Sequence, residues 1–147
     1  MGRLARWTRA LGFDTERADE PDPARLIARA RREGRVLISR NRRLAGRPEA
    51  IVLAAERLDA QLAELRAGPL GRAPRAPGTR CLECNGLLAA LAREAARPRV
   101  PPYVFATQGA FHECRGCGRV FWRGTHWEGL SERLARSGWA PSPPPSP

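Results

Sequence analysis

The chain has 147 residues, 42% of them hydrophobic, and carries a formal charge of +11. That apolar share supports a packed core and excludes a chain disordered throughout, while no apolar run approaches the roughly 20 residues that cross a bilayer. The first residues are charged and amphipathic, unlike a signal sequence, so a cytoplasmic bacterial or archaeal protein of one or two small domains, with no membrane partner, is expected.

Residues 2–11 read as an amphipathic helix. Leu4, Trp7 and Leu11 recur at helical spacing, Arg3, Arg6 and Arg9 fall on other faces, and Gly12 ends it. Residues 13–17 read as a short strand. Asp22 then caps a helix over residues 23–33, with Pro23 at its first position and Gly34 after its last. Val36-Leu37-Ile38 and Ile51-Val52-Leu53 are short apolar runs with polar flanks, and each predicts a buried strand. A third helix is predicted over residues 55–67 from the spacing of Leu58, Leu62 and Leu65. Strands alternating with helices predict an α/β domain with a parallel sheet flanked by helices over residues 1–67.

Prolines and glycines crowd residues 68–79, which predicts a linker or extended connection. Residues 80–138 form the next module, with a strand at Val120-Phe121-Trp122 and a closing helix over 128–136. Residues 139–147 read as a disordered Pro/Ser tail.

The module holds all four cysteines, in two matched pairs: Cys81-Leu82-Glu83-Cys84 and Cys114-Arg115-Gly116-Cys117. Two residues between ligands let one tight turn present both sulfurs to one ion. Two such knuckles make a tetrahedral four-sulfur site, the preference of a structural Zn²⁺. Two disulfides are the alternative, disfavoured without a secretory signal. The insert between the pairs is long, but a zinc ribbon tolerates one. His112 lies close to Cys114, yet four thiolates already complete a tetrahedron. A module this small needs such a staple, so Cys84→Ala is expected to unfold the C-terminal half.

Four thiolates and Zn²⁺ together contribute −2, which leaves the chain at about +9. Such a charge favours nucleic acid as a partner. All 26 basic residues are arginine, a profile that a GC-rich genome also produces. Arginine's planar fork suits phosphate oxygens and stacks on bases whatever its origin.

Several segments resemble the Mut-seven C-terminal RNase domain family. They are Gly2-Arg3-Leu4-Ala5-Arg6-Trp7, Leu11-Gly12-Phe13-Asp14-Thr15, the stretch from Gly34 to Arg42, Arg80 to Gly86, and Val100-Pro101-Pro102. The most specific is Cys114-Arg115-Gly116-Cys117-Gly118-Arg119-Val120-Phe121-Trp122-Arg123-Gly124-Thr125-His126-Trp127. The resemblance implies a PIN-like nuclease domain joined to a zinc ribbon. It also implies cleavage of RNA by Mg²⁺ or Mn²⁺ held between carboxylates at one end of a parallel sheet.

Two departures bear on that site. The family pattern has a strand ending in aspartate ahead of the motif in which this chain begins, so the first strand is apparently missing. A start codon assigned too far downstream is expected, with a decayed domain as the alternative. Second, the family shows Thr-Arg-Asp-Arg where this chain has Ser39-Arg40-Asn41-Arg42. Asn41 removes a negative charge where a divalent cation should sit, so weaker metal binding and slower cleavage are expected.

Asp22 and Asn41 are the catalytic candidates. Asp22 is the acid that aligns best, with Asp19 and Glu20 nearby and Asp14 less suited. A helix cap is Asp22's competing role, solvated loop charges are that of Asp19 and Glu20, and a structural turn is that of Asp14. Arg40, Arg42 and Arg43 follow a strand and are candidates for phosphate contact, as is His126 for RNA; Arg3, Arg6 and Arg9 carry a weaker claim. A solvated basic loop and a packing histidine compete. Phe121, Trp122 and Trp127 suit either base stacking or the module's own core. Three functions therefore stand: an RNA-directed, metal-dependent ribonuclease; a catalytically impaired RNA-binding module; and a regulatory protein whose ribbon docks a protein partner.

Overall fold

The structure is a computed structural model that describes residues 2–73 and 75–139, with the backbone alone for Thr125, His126 and Trp127. Helix α1 (Gly2–Ala10) buries Leu4, Ala5, Thr8 and Ala10. Gly12 follows at φ +88°, where a Cβ would stand 2.1 Å from the Ala76 carbonyl oxygen, so the turn requires glycine. The strand expected over residues 13–17 does not form. The Phe13 amide is spent on the Thr8 carbonyl (3.0 Å) and the Thr15 amide on Asn85 Oδ1 (3.0 Å), which leaves no ladder for the segment to join.

Helix α2 (Pro23–Glu33) begins as expected, with Asp22 Oδ1 accepting from the Ala24 amide at 2.9 Å, and ends at Gly34. It buries Ile27 and Ala30. Strands β1 (Leu37–Ser39) and β2 (Ala50–Val52) pair in parallel, Ile38 opposite Ile51. Val36, expected in the first strand, lies just outside the ladder and is half exposed. Helix α3 (Leu58–Ala67) starts three residues later than its apolar spacing predicts, and buries Leu58, Leu62 and Leu65.

The main core joins Leu4, Leu11, Leu53, Leu62 and Leu65 to Leu134 and Trp139. Each such side chain contributes about 1.5–3 kcal/mol by leaving water. Leu134 lies on α6 (Thr125–Arg136), so the closing helix packs on the core of the N-terminal half. Arg133 of α6 pairs with Asp59 of α3, Nε to Oδ1 at 2.6 Å. Trp139, expected in the disordered tail, is 1% exposed, and its indole N–H donates to the Leu62 carbonyl at 2.9 Å. Burial of a large aromatic with its polar atom satisfied overrides the tail composition around it. The rest of the tail, residues 140–147, lies outside the described residues.

The Pro/Gly-rich stretch is packed too. It makes a short 3-10 turn (Pro69–Arg72), Leu70 covers the main core, and the Gly78 amide donates to the Ala10 carbonyl at 3.1 Å.

The cysteine module is a three-stranded antiparallel sheet of β3 (Leu88–Leu91), β4 (Phe111–Cys114) and β5 (Val120–Trp122), in that order. The long insert between the knuckles folds into α4 (Arg93–Ala96) and α5 (Pro102–Thr107). Their Ala96 and Val104 close a second core with Val100 and Phe111, against which Val120 and Trp122 pack. The chain is thus a mixed α/β protein with a small parallel sheet, helices and a separate antiparallel sheet.

Candidate metal centre and nucleic-acid surface

Each cysteine pair sits in a tight turn closed by backbone hydrogen bonds. In the first knuckle the Asn85 amide donates to the Cys81 carbonyl (3.0 Å) and the Cys81 amide to the Gly86 carbonyl (2.8 Å). In the second, the Gly118 amide donates to the Cys114 carbonyl (2.9 Å) and the Cys114 amide to the Arg119 carbonyl (2.9 Å). A Cβ on Gly86 would stand 2.9 Å from Cys114 Sγ, so the knuckles meet only because residue 86 has no side chain.

The four Sγ atoms lie within 4.8 Å of one another. Cys81 and Cys117 are 3.7 Å apart, and Cys84 and Cys114 3.3 Å. Tetrahedral sulfurs at a Zn–S length of about 2.3 Å would be roughly 3.8 Å apart. The donor set and spacing therefore fit one tetrahedral ion, with Cys81 and Cys114 buried and Cys84 and Cys117 facing water.

The thiols differ in proton affinity. Burial pushes Cys81 up to about 12. Cys114 feels burial too, but the Cys117 and Gly116 amides and the Cys84 thiol stabilise its thiolate and bring it down to about 7. Cys114 is therefore more readily presented as thiolate to an incoming cation than Cys81.

The first knuckle is bolted to the N-terminal half. The Arg9 guanidinium, 9% exposed, donates to the carbonyls of Leu82 (3.1 Å) and Glu83 (2.8 Å), and its Nε to that of Thr15 (2.8 Å). Arg9 is therefore a structural clamp and leaves the set of phosphate candidates. Asn85, at φ +72°, donates from Nδ2 to Asp14 Oδ1 at 2.7 Å. The Asn85 amide, against some burial, and the Arg35 guanidinium hold the Asp14 carboxyl below its usual range.

The candidate catalytic residues are both caps. Asp22 caps α2 and lies 3.8 Å from Arg25 Nε. Asn41 caps the short 3-10 turn Arg42–Leu44, its Oδ1 accepting from the Arg43 amide at 3.1 Å. The neighbouring acids are paired: Asp19 with Arg17, Glu20 with Arg25, Glu16 with Arg29 and Arg35. Among the described residues, the cysteines are the one group of three or more His, Cys, Asp or Glu side chains that converges on a common point. The residues present do not fit a preformed Mg²⁺ or Mn²⁺ site.

The model of the Mut7-C RNAse domain matches residues 1–134. The chain belongs to that family. No curated protein and no solved structure matches it.

In this Mut7-C chain the three arginines singled out after β1 divide. Arg40 is held by Glu56 at 2.7 Å. The side chains of Arg42 and Arg43 are exposed on the 3-10 turn and pair with no carboxylate among the described residues. His126 lies in the first turn of α6, with its side chain and that of Trp127 outside the described residues. Trp122 packs on the second core. Sequence reasoning named Arg9 as a weaker phosphate candidate and Asn85 as part of the first knuckle's turn, and missed that both tie the knuckle to the N-terminal half. No helix among the described residues is long and apolar enough to cross a membrane.

Proposed function

We propose that this chain is an RNA-directed protein of PIN-like architecture, with Zn²⁺ as structural glue and only weak metal-dependent phosphodiester hydrolysis of its own. The observation that carries this reading is the contrast after β1. Asn41 and Asp22 are committed to caps, while Arg42 and Arg43 present free guanidinium groups on the same turn as Asn41. Such groups suit phosphate oxygens. Zn²⁺, held by Cys81, Cys84, Cys114 and Cys117, would close the two knuckles, and Arg9 would pass that order to α1.

A fully active ribonuclease using Mg²⁺ or Mn²⁺ is the second reading, favoured by the family match over residues 1–134. One experiment separates them. Zinc-loaded protein is incubated with single-stranded and structured RNA plus Mn²⁺, beside Asp22→Asn and Arg42→Ala/Arg43→Ala variants. Binding that weakens with salt, with a log–log slope shallower by about 1 per arginine removed, and with little cleavage, supports the first reading. Cleavage abolished by Asp22→Asn supports the second. No RNA affinity at low salt sinks both and leaves docking of a protein partner.

A further inference from the structure

The three-stranded sheet has a second face that its own core does not use. Leu91 of β3, Phe111 of β4, and Val120 and Trp122 of β5 pack in the second core. Side chains alternate across a strand, so Leu88 and Ala90, His112, and Phe121 point to the opposite face. Among the described residues neither apolar core includes Phe121, which is only partly buried, and Ala90 is exposed. His112 and Phe121 are register partners on adjacent strands, which sets their Cβ atoms about 4.5–5.5 Å apart. An imidazole and a phenyl ring thus stand side by side on this face.

The charge around the pair is of one sign. Arg119 and Arg123 lie one residue outside either end of β5, and both are exposed. The same alternation brings them to the face of Phe121, each about 7 Å from it along the strand. The Arg119 carbonyl accepts from the Cys114 amide at 2.9 Å, so that residue is still held in the hairpin. Its guanidinium pairs with no carboxylate among the described residues. The only carboxylate in the three strands, Glu113, points to the other face and pairs with Arg99 at 2.9 Å.

We propose that this face binds single-stranded RNA, with a base stacked on Phe121 beside His112 and phosphates on Arg119 and Arg123. The site rests on the RNA-directed reading and adds to it a base-contacting surface on the cysteine module, apart from Arg42 and Arg43. An aromatic ring is a sequence-tolerant platform, because every base has a flat π-face. Guanidinium groups on either side of the ring suit the phosphates that lead to and from a stacked base. Duplex RNA keeps its bases stacked inside and offers this face only its backbone. An apolar protein surface would leave the arginines without countercharge.

The test is fluorescence anisotropy on the zinc-loaded full chain with a labelled oligoadenylate of about 12 nucleotides, an abasic oligomer of the same length and a duplex. Phe121→Val keeps a strand-forming apolar residue but removes the ring. It should weaken oligoadenylate binding about tenfold, while affinity for the abasic oligomer and the duplex, and the salt dependence, stay as in the parent. Arg119→Ala should make the log–log salt slope shallower by about 1. Ala90→Glu, on β3 across His112 from Phe121, puts a carboxylate on the face at an exposed position and should weaken binding with the ring intact. Parent affinity in both Phe121→Val and Ala90→Glu overturns the proposal and leaves the face to a protein partner. If Arg42→Ala/Arg43→Ala still weakens binding, the RNA-directed reading survives that failure. An equal loss by Phe121→Val on the abasic oligomer also overturns it, because the ring then supports the fold and not a base. No affinity of the parent chain for any RNA at low salt removes the RNA-directed reading and this site together.

Discussion

Asn85 of the first cysteine knuckle holds Asp14 of the N-terminal half through an Nδ2–Oδ1 hydrogen bond of 2.7 Å, and its own Oδ1 takes the Thr15 amide. One side chain thus satisfies a carboxylate and a backbone donor 70 residues away in sequence. Asn85→Gly keeps the positive φ but removes both bonds, and should cost about 1–3 kcal/mol. Asn85→Ala should cost a further 1–2 kcal/mol or so for the left-handed backbone. Urea denaturation of both variants checks the order; equal midpoints for the two would refute the backbone component.

Loss of the metal should reach beyond the cysteine module. Structural zinc is worth on the order of 10–16 kcal/mol, as much as a whole domain's stability, so Cys84→Ala or chelation should unfold the second core. Because Arg9 grips the knuckle carbonyls of Leu82 and Glu83, amides at the end of α1 should lose exchange protection too. Circular dichroism and exchange rates of the chelated protein measure this. An N-terminal half that keeps full protection would show the clamp to be idle.

Trp139→Ala should destabilise by about 3–5 kcal/mol, the usual result of emptying a large buried aromatic site. Trp139→Phe should cost less, mainly through the Leu62 carbonyl left without its 2.9 Å donor. Thermal melts of the two variants decide. A wild-type melting point in both would mean that Trp139 does not belong to the core.

Acid should weaken the contacts between sequence-distant parts. The Asn85 amide and Arg35 hold Asp14, and Arg133 holds Asp59, below the ordinary carboxyl range near 3.8. The unfolded chain then binds more protons than the folded one. The contribution is complete above about pH 5 and is lost as pH falls through the depressed folded values. Both groups are nearly half exposed, so the effect is modest and salt-screened. Melting temperature against pH should fall less steeply below pH 4 or so in Asp14→Asn and Asp59→Asn. An unchanged slope in both variants counts against this linkage.

Asn41→Asp should leave the fold intact, since aspartate caps a turn as well as asparagine does. It restores a negative charge beside Arg42 and Arg43. If the RNA-directed reading holds, Mn²⁺-dependent cleavage should rise about tenfold or more over the parent, equivalent to about 1.4 kcal/mol in the barrier. A nuclease assay with matched zinc content tests it; no gain would mean that the remaining carboxylates are too firmly paired to join a metal site.

What the sequence made legible was local. Asp22 before Pro23, Gly34 after Glu33, and two cysteines per knuckle each declare their geometry within a few residues. Strand β3 was missed because Leu-Ala-Ala-Leu has no strand propensity of its own and is held by Phe111–Cys114 across the sheet. The strand expected over residues 13–17 failed for the converse reason: its amides went to Thr8 and Asn85. The attachment of α6 to the first core was illegible because Leu134 and Trp139 meet Leu62 and Leu65 only in three dimensions. Of the candidate site, the sulfur cluster was readable from spacing. The commitment of Arg9 and Arg40 to structural partners was not, because those partners lie far along the chain.

The placement of Trp139 also sets a schedule for birth of the protein. A ribosome adding about 5–20 residues per second makes Leu4, Leu11, Leu62 and Leu65 long before it makes the indole that seals them. Until residue 139 has left the exit tunnel, that apolar surface stays open to chaperones, proteases and other nascent chains. The fold therefore cannot close before residue 139 emerges, and a transcript cut short ahead of that residue yields a chain with an unsealed core.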